Sequence, residues 1–375
     1  IVTTGALVNV GKNATVVLGE GAILQNNDGA NAVNLGTRTG GKLIVNGGEI
    51  INNHSAAGAI WGGGEIVVNS GKINYNKGSS GGAMILESTD TKFVMNGGEI
   101  FGGCKINSDG TIASSNATNG NVYVVNADME MHGGHIDGGV AVYGESTLKL
   151  SGNPSMTSSY EGDGANELFL NGTTEAITIN GTLTTEGRVA KVRTEDNSVR
   201  VFSTETIADN AAFFEAYTEG ESVFLNGESK LEVGKVMCIC GFKNGKHIGD
   251  CDGTEHNWSA WTDTKYLPTT TGYYYLTADL ETAGTSAVTA NNQKIALDLN
   301  GHTIYSTSGG SRIFTTYNNS TYWTGPELTL LNSGDTGLIQ GWNKGGDGKA
   351  SVDNGSILWA PSANTTFNLY NIILD

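Results

Sequence analysis

Three cysteines and two histidines fall within 19 residues, as Cys238-x-Cys240-x6-His247-x3-Cys251-x4-His256. Thiolates and imidazoles are the ligands tetrahedral zinc prefers, and a structural site takes four of them. Cys238, Cys240, Cys251 and His256 are the expected set, with His247 as the substitute imidazole. Cys240-Gly241 is similar to the tight turn of a zinc knuckle, where glycine lets backbone amides approach sulfur. A disulfide from Cys251 to Cys238 or Cys240, leaving an odd thiol, is one alternative, and three free thiols are another. In any of these states the role is structural, because so short a segment carries too little apolar side chain to fold by burial alone. Trp258 and Trp261, just downstream, are expected to pack on a neighbouring domain rather than bind ligand. The fourth cysteine, Cys104, reads as a small buried hydrophobe.

Other polar clusters are weaker candidates. Acid–base cleavage of polysaccharides needs paired carboxylates, and an anionic intermediate needs Arg, Lys or metal. "MHGGHIDGG" offers His132, His135 and Asp137, and "SYEGDGANE" offers Glu161, Asp163 and Glu167 as a cation site. Neither cluster comes with a basic partner, so a turn substitution and a solvated insertion are the plainer accounts. "NKGGDGKASVDNG", Asn343 to Gly355, is a polar loop without the regular carboxylate spacing of a calcium loop. Tyr273, Tyr274, Tyr275, Tyr317, Tyr322, Trp323 and Trp342 crowd the second half. In an exposed row they would stack on sugar rings, while core packing serves equally well.

The elements that carry these residues are short. Of 375 residues 55 are glycine, about twice the usual share, and only four are proline. Many short strands and turns are favoured over long helices. A net charge of −17, with five arginines in all, lacks the clustered positive charge that nucleic-acid binding requires. No apolar run is long enough to cross a membrane as a helix.

One motif recurs. "VVLGEGAI" starts at Val16, "LIVNGGEI" at Leu43, "IVVNSGKI" at Ile66 and "FVMNGGEI" at Phe93, with looser copies at Met129, Leu148 and Ile177. The steps are 27, 23, 27, 36, 19 and 29 residues, the period of a solenoid with insertions at its turns, such as Asn107 to Asn119. Apolar-x-apolar is a short strand with alternate side chains inward. Asn-Gly-Gly is a corner that needs positive φ, and the following Ile re-enters the core. The corner asparagines Asn46, Asn69 and Asn96 are expected either to form an amide ladder or to serve as plain turn residues. The unit therefore predicts a parallel β-helix over residues 1–187. Residues 188–235 would supply terminal coils or a cap, with a short helix near Ala208 to Tyr217. Residues 236–266 would form the Cys/His linker. A second β-helix would start at 267, where "LDLNGHTI" repeats the strand–corner–Ile order, and run to 375 with strands at Leu328 to Leu331, Ser356 to Trp359 and Phe367 to Leu374. The chain opens and stops in mid-pattern, as a piece of a longer tandem polypeptide would.

The Cys/His segment, "LPTTTGYYYLTADLETAG", "IALDLNGHTI" and the "NGGEI" corners together resemble large, repetitive secreted surface proteins of Gram-positive gut bacteria. That resemblance covers nearly the whole chain and is most specific over the linker and "LDLNGHTI". It implies pectate-lyase-like right-handed β-helices, with similar Cys/His segments between repeats, and an extracellular or cell-surface location. It says little of activity, since fold does not determine function. The expectation is a non-enzymatic structural or adhesive module whose partners are its own copies end to end, glycans or a host surface. A polysaccharide-active enzyme or glycan-binding module on a β-helix groove is the runner-up.

Overall fold

The computed structural model describes residues 5–36, 40–79, 81–105, 121–159, 167–172, 175–195, 200–243, 246–249, 251–282, 286–288, 293–306, 313–316, 326–340, 357–359 and 366–375. They are almost entirely β, and divide into two units, Ile1–Val233 and Gly234–Asp375. The insertion Asn107 to Asn119 lies outside the described residues.

The first unit is built on long parallel sheets, the arrangement of a β-solenoid. One sheet stacks nine strands: Val8–Asn9, Val33–Asn34, Ile60–Trp61, Met84–Glu87, Val122–Val125, Val140–Tyr143, Leu168–Asn171, Ala190–Thr194 and Phe214–Ala216. A second row takes Thr15–Gly19, the first halves of Lys42–Ile51 and Glu65–Asn74, then Lys92–Met95, Asp128–Met131, Thr147–Gly152 and Ile177–Leu183. A third row takes Ile23–Gln25, the second halves of the same two long strands, Glu99–Phe101, His135–Asp137 and Ser155–Thr157.

Register follows the repeated motif. Val16, Leu43, Ile66, Phe93, Met129, Leu148 and Ile177 pair in sequence up the stack. Ile50, Ile73, Ile100, Ile136 and Met156 do the same across the corner, all fully or almost fully buried. Each such side chain contributes roughly 1.5–3 kcal/mol by leaving water, but only a neighbouring coil removes it from water on both sides. One pairing differs from the sequence alignment. Leu24, not Ile23, lies beside Ile50, because residues 19–23 separate Leu18 from Leu24 whereas only residues 46–49 separate Val45 from Ile50, so the first corner is one residue longer. Ile23 is left exposed.

The corners are tight. Gly71 has φ of +102°, and a Cβ there would lie 2.3 Å from the Gly48 carbonyl oxygen of the coil beside it. No other residue fits. Above these glycines Asn69 donates to Asn46 at 2.8 Å and Asn96 to Asn69 at 2.7 Å, forming the exposed amide ladder. A second, buried ladder lies three residues past the corner isoleucines and was not read from the sequence. Asn53 accepts from the Asn27 amide at 3.0 Å, and its own Nδ2 donates to the carbonyls of Leu24 and Ile51. Asn76 accepts from the Asn53 amide at 2.9 Å and donates to the Ile50 carbonyl. The residue before each, Asn26, Asn52 or Tyr75, turns the chain at positive φ. These asparagines satisfy backbone groups that the turn removes from the strand ladders.

The stack closes on a change of pairing. Val201–Glu205 still meets Ile177 in parallel through Ser203, but takes Lys230 and Glu232 antiparallel. Ala208–Phe213 is a single 3-10 helix, shorter than expected, and Phe214–Ala216 returns to the parallel sheet.

The second unit repeats the plan. Glu255–Trp261, Gly272–Leu276, Lys294–Asp298, Glu327–Leu331 and Thr366–Tyr370 form one parallel sheet. Leu280–Thr282, Thr303–Ser306, Leu338–Gln340 and Ile373–Leu374 form another, and Ser286–Val288, Phe314–Thr316 and Leu358–Trp359 a third. Leu297, Leu299 and Ile304 of "LDLNGHTI" are buried around Asn300 and Gly301 at positive φ. Parallel pairing starts at Ser259, inside the expected linker, before the expected start at 267.

Asn53→Ala is expected to lower the stability of the first unit by about 1–3 kcal/mol, because it orphans buried backbone groups. Asn69→Ala, on the exposed ladder, is expected to cost about 0.5 kcal/mol. Urea denaturation midpoints of the two variants against the parent chain measure both.

Candidate metal centre

The Cys/His segment begins where the strand Lys230–Cys238 ends. Lys235 to Cys238 pair antiparallel with Trp258 to Glu255, so Met237 faces His256 and Cys238 faces Glu255. After Cys238 the chain turns tightly: the Gly241 amide donates to the Cys238 carbonyl at 3.0 Å, and Gly241 has φ of +76°. Phe242–Lys243 and Lys246–His247 then pair antiparallel. The turn carries Cys240, the second hairpin strand returns His247, and the following loop brings Cys251.

Four donors converge. The Cys238 and Cys240 sulfurs are 3.3 Å apart, and those of Cys240 and Cys251 2.7 Å. His247 Nδ1 lies 3.0 Å from Cys238, 3.5 Å from Cys240 and 3.6 Å from Cys251. All four donor atoms fall within 4.8 Å of one another. A zinc tetrahedron with Zn–S of about 2.3 Å has edges of roughly 3.7 Å. The group is somewhat tighter than that. Three thiols and an imidazole around one point can hold a metal ion such as zinc. All three cysteines are free, and no pair is at bonding distance.

The fourth donor is His247, the substitute of the sequence reading, and not His256. Strand alternation explains this. His256 is in register with Met237, one residue from Cys238 and so on the opposite face, where its ring stacks on Tyr273 at 4.1 Å and 10°. The sequence held a signal for His247: Asn244-Gly245 between Lys243 and Lys246 is the dipeptide that favours a two-residue hairpin.

Burial pushes the Cys238 thiol up to about 12, and hydrogen bonds and charge from Cys240 and Cys251 add to the shift. The hydrogen bond with Cys240 draws Cys251 down to about 7 against a smaller burial effect, with help from the Gly253 amide. Cys251 thus ionises before Cys238, and a cation at the centre would replace the remaining protons.

The segment also covers something. Met237, Trp258, Tyr275, Ala296 and Leu331 form a small core on the outer face of the sheet, with Ile239, Ile248 and Tyr370 packed against it. Trp258 is fully buried and donates to the Met237 carbonyl at 2.9 Å. A Cβ at Gly241 would lie 2.5 Å from Leu331 Cδ1, and one at Gly249 would lie against the Tyr370 ring. Lys243 reaches the Gly334 carbonyl at 2.5 Å and Asp335 at 3.5 Å. The segment therefore runs over the flank of the second unit, across strands far from it in sequence.

The other candidates are occupied by neighbours in adjacent coils. His132 Nδ1 lies 2.6 Å from Ser151 Oγ, and its Nε2 lies 3.6 Å from Glu130. His135 pairs with Glu99 in the ladder and contacts Ser155 and Thr157. Asp137 accepts from Thr157 and from the amide and hydroxyl of Ser159. Glu167 does have a basic partner, contrary to the sequence reading, and two lysines reach Glu130 beside His132. Burial works to raise the Glu130 carboxyl, but Lys92 and Lys149 outweigh it and hold it below the usual carboxylate range. Glu167 takes a two-pronged contact from Arg188 at 2.7 and 3.1 Å and the Lys191 amide at 2.6 Å. Those partners come from the next coil, so linear sequence hides them. Glu161, Asp163 and the loop Asn343 to Gly355 lie outside the described residues, as do Tyr317, Tyr322, Trp323 and Trp342. Tyr273, Tyr274 and Tyr275 do not form a row: Tyr274 turns to Trp261 on one face, Tyr273 and Tyr275 to the other. Cys104 is buried, and burial raises its thiol.

No protein-family description matches this sequence, and no curated protein or solved structure is significantly similar to it.

Replacing His247 by Ala is expected to weaken zinc binding by more than the roughly 10–100-fold typical of an outer-shell change, while His256→Ala keeps a full equivalent. Metal content by mass spectrometry and competition with a chromophoric chelator measure this. In metal-free protein the rate of Cys251 alkylation should rise with pH and reach half its maximum near pH 7, where its thiol loses its proton. Cys238 should stay unlabelled across that range.

Proposed function

We propose that this chain is a structural or adhesive module of an extracellular, bacterial cell-surface protein, built on right-handed β-helices. The observation that carries the reading is register: the repeated motif stacks residue on residue through the first unit. Repetition then serves geometry, and the polar corner residues serve the ladder. Such a stack is a stiff spacer whose turns offer surface for contact. The partners are its own copies end to end, with glycans or a host surface reached through the turns. The Cys/His centre is a structural zinc site that fastens the segment after Cys238 to the flank of the second unit. The −17 charge argues against nucleic acid, and no helix among the described residues is long and apolar enough to cross a membrane.

A polysaccharide-active enzyme or glycan-binding module would use the shallow groove along the glycine corners, lined by Lys72, Glu99, His135, Asn153 and Ser155. Its ionisable groups are already engaged along the ladder: Lys72 with Glu99 at 3.9 Å, and His135 with Ser155 and Thr157.

Electron microscopy of a fragment spanning residues 1–233 should show a rod-shaped particle. A glycan array combined with a reducing-sugar assay on plant and host polysaccharides should show no turnover. Turnover that is lost in His135→Ala would replace this reading with the enzymatic one.

A further inference from the structure

We infer that Cys240 and Cys251 are an oxidation-sensitive pair, and that a hydroperoxide closing them into a disulfide expels the metal from the centre. The inference rests on the zinc reading of that centre.

The three sulfurs are not equivalent. Cys238 and Cys240 are buried, whereas Cys251 is partly open to solvent. An oxidant arriving from water meets Cys251 first. The sulfur nearest to Cys251 is Cys240, at 2.7 Å, while Cys238 and Cys240 are 3.3 Å apart. Backbone freedom points the same way. Cys238 ends a strand paired to Glu255, and Cys240 sits in the turn closed by the Gly241 amide. Cys251 is followed by Gly253 at φ +76° with open space around its Cα. The outer sulfur can therefore move onto Cys240 without disturbing the sheet.

The chemistry balances in two steps. The Cys251 thiolate attacks one oxygen of the peroxide, the O–O bond breaks, and the sulfur becomes a sulfenic acid as hydroxide leaves. The Cys240 thiolate then attacks that sulfur, the S–O bond breaks, a second hydroxide leaves, and the S–S bond forms. Two electrons pass from the two thiolates to the peroxide. Cys238 and His247 remain, two donors where a structural zinc site takes four. The metal leaves, and the segment over Leu331 and Tyr370 loses its fastening.

The test uses the zinc-loaded full chain carrying Cys104→Ser, which removes the thiol outside the centre. Hydrogen peroxide is added in stoichiometric steps. Zinc release is followed with a chromogenic indicator, intact mass reports the thiols, and peptide mapping locates the bond. The expected result is one zinc released per chain, in step with the loss of two hydrogens and a Cys240–Cys251 linkage, reversed by a dithiol reductant plus zinc. Cys251→Ser, if it still loads zinc, should release it at least about tenfold more slowly, since the exposed sulfur that starts the reaction is gone. Zinc that stays bound after peroxide, or a bond mapped to Cys238–Cys240, would overturn the inference and leave the zinc reading standing. A reduced chain that takes up no zinc would sink both.

Discussion

Each coil must lay its backbone beside the next at one height and in one register, and the rest of the molecule depends on that constraint. Parallel pairing fixes the height, and the inward side chains fix the register, since a slip of one residue would turn Ile66 and Val68 to solvent. Corner glycines follow, because backbones that stack this closely leave no room for a Cβ. The asparagine ladders follow as well. A turn repeated at the same place in each coil leaves the same backbone groups unpaired, and a stacked amide repairs them each time. Stability of this kind belongs to the column and not to any one coil.

The same constraint shapes the polar surface. A side chain pointing outward from one coil meets, directly above and below, the same position of its neighbours. Opposite charges and hydroxyls therefore find each other along columns, as Lys42 meets Glu65 at 2.8 Å and Thr147 meets Asp128 at 2.5 Å. Exposed pairs of this sort add little stability each. They do remove free ionisable groups from the corners. Convergence of several donors on one point requires a break in the regular stack. The Cys/His segment is such a break: a turn, an antiparallel hairpin and a loop, laid on the outer face of a parallel sheet.

Periodicity made the solenoid legible, and the isoleucine alignment carried directly into strand register. Two kinds of feature escaped. The buried ladder of Asn27, Asn53 and Asn76 stands outside the repeated eight residues, where asparagine is common in any turn and carries no apolar signal. The ion pairs of Glu130 and Glu167 join residues about twenty apart or more, a distance set by coil length that local reading does not span. In the metal centre the three thiols were legible from spacing, but the choice between two histidines turned on strand phase. His256 was the expected ligand, yet one residue of alternation sends it to Tyr273. The parallel pairing of Ser259 to Trp261, ahead of residue 267, was hidden for a related reason. Glu255–Trp261 reads as linker because Glu255 to Trp258 pair antiparallel with Lys235 to Cys238, and only Ser259 to Trp261 pair in parallel with Tyr274 to Leu276.

Metal and disulfide are not equivalent ways to fasten this segment. A bond between Cys240 and Cys251 closes a loop of about ten residues, worth roughly 3 kcal/mol through the unfolded chain. It leaves the Cys238 strand end and the His247 hairpin untied. A zinc ion at this centre would tie all four points together, with an apparent binding energy in small zinc domains of about 10–16 kcal/mol at neutral pH. Only the four-point closure holds the turn, the hairpin and the loop in one orientation, and that orientation sets Gly241 against Leu331 and Gly249 against Tyr370. The small outer core around Trp258 is too thin to keep the segment down unaided. On the zinc reading its order would follow the ligation state of three sulfurs, one of which is partly open to solvent.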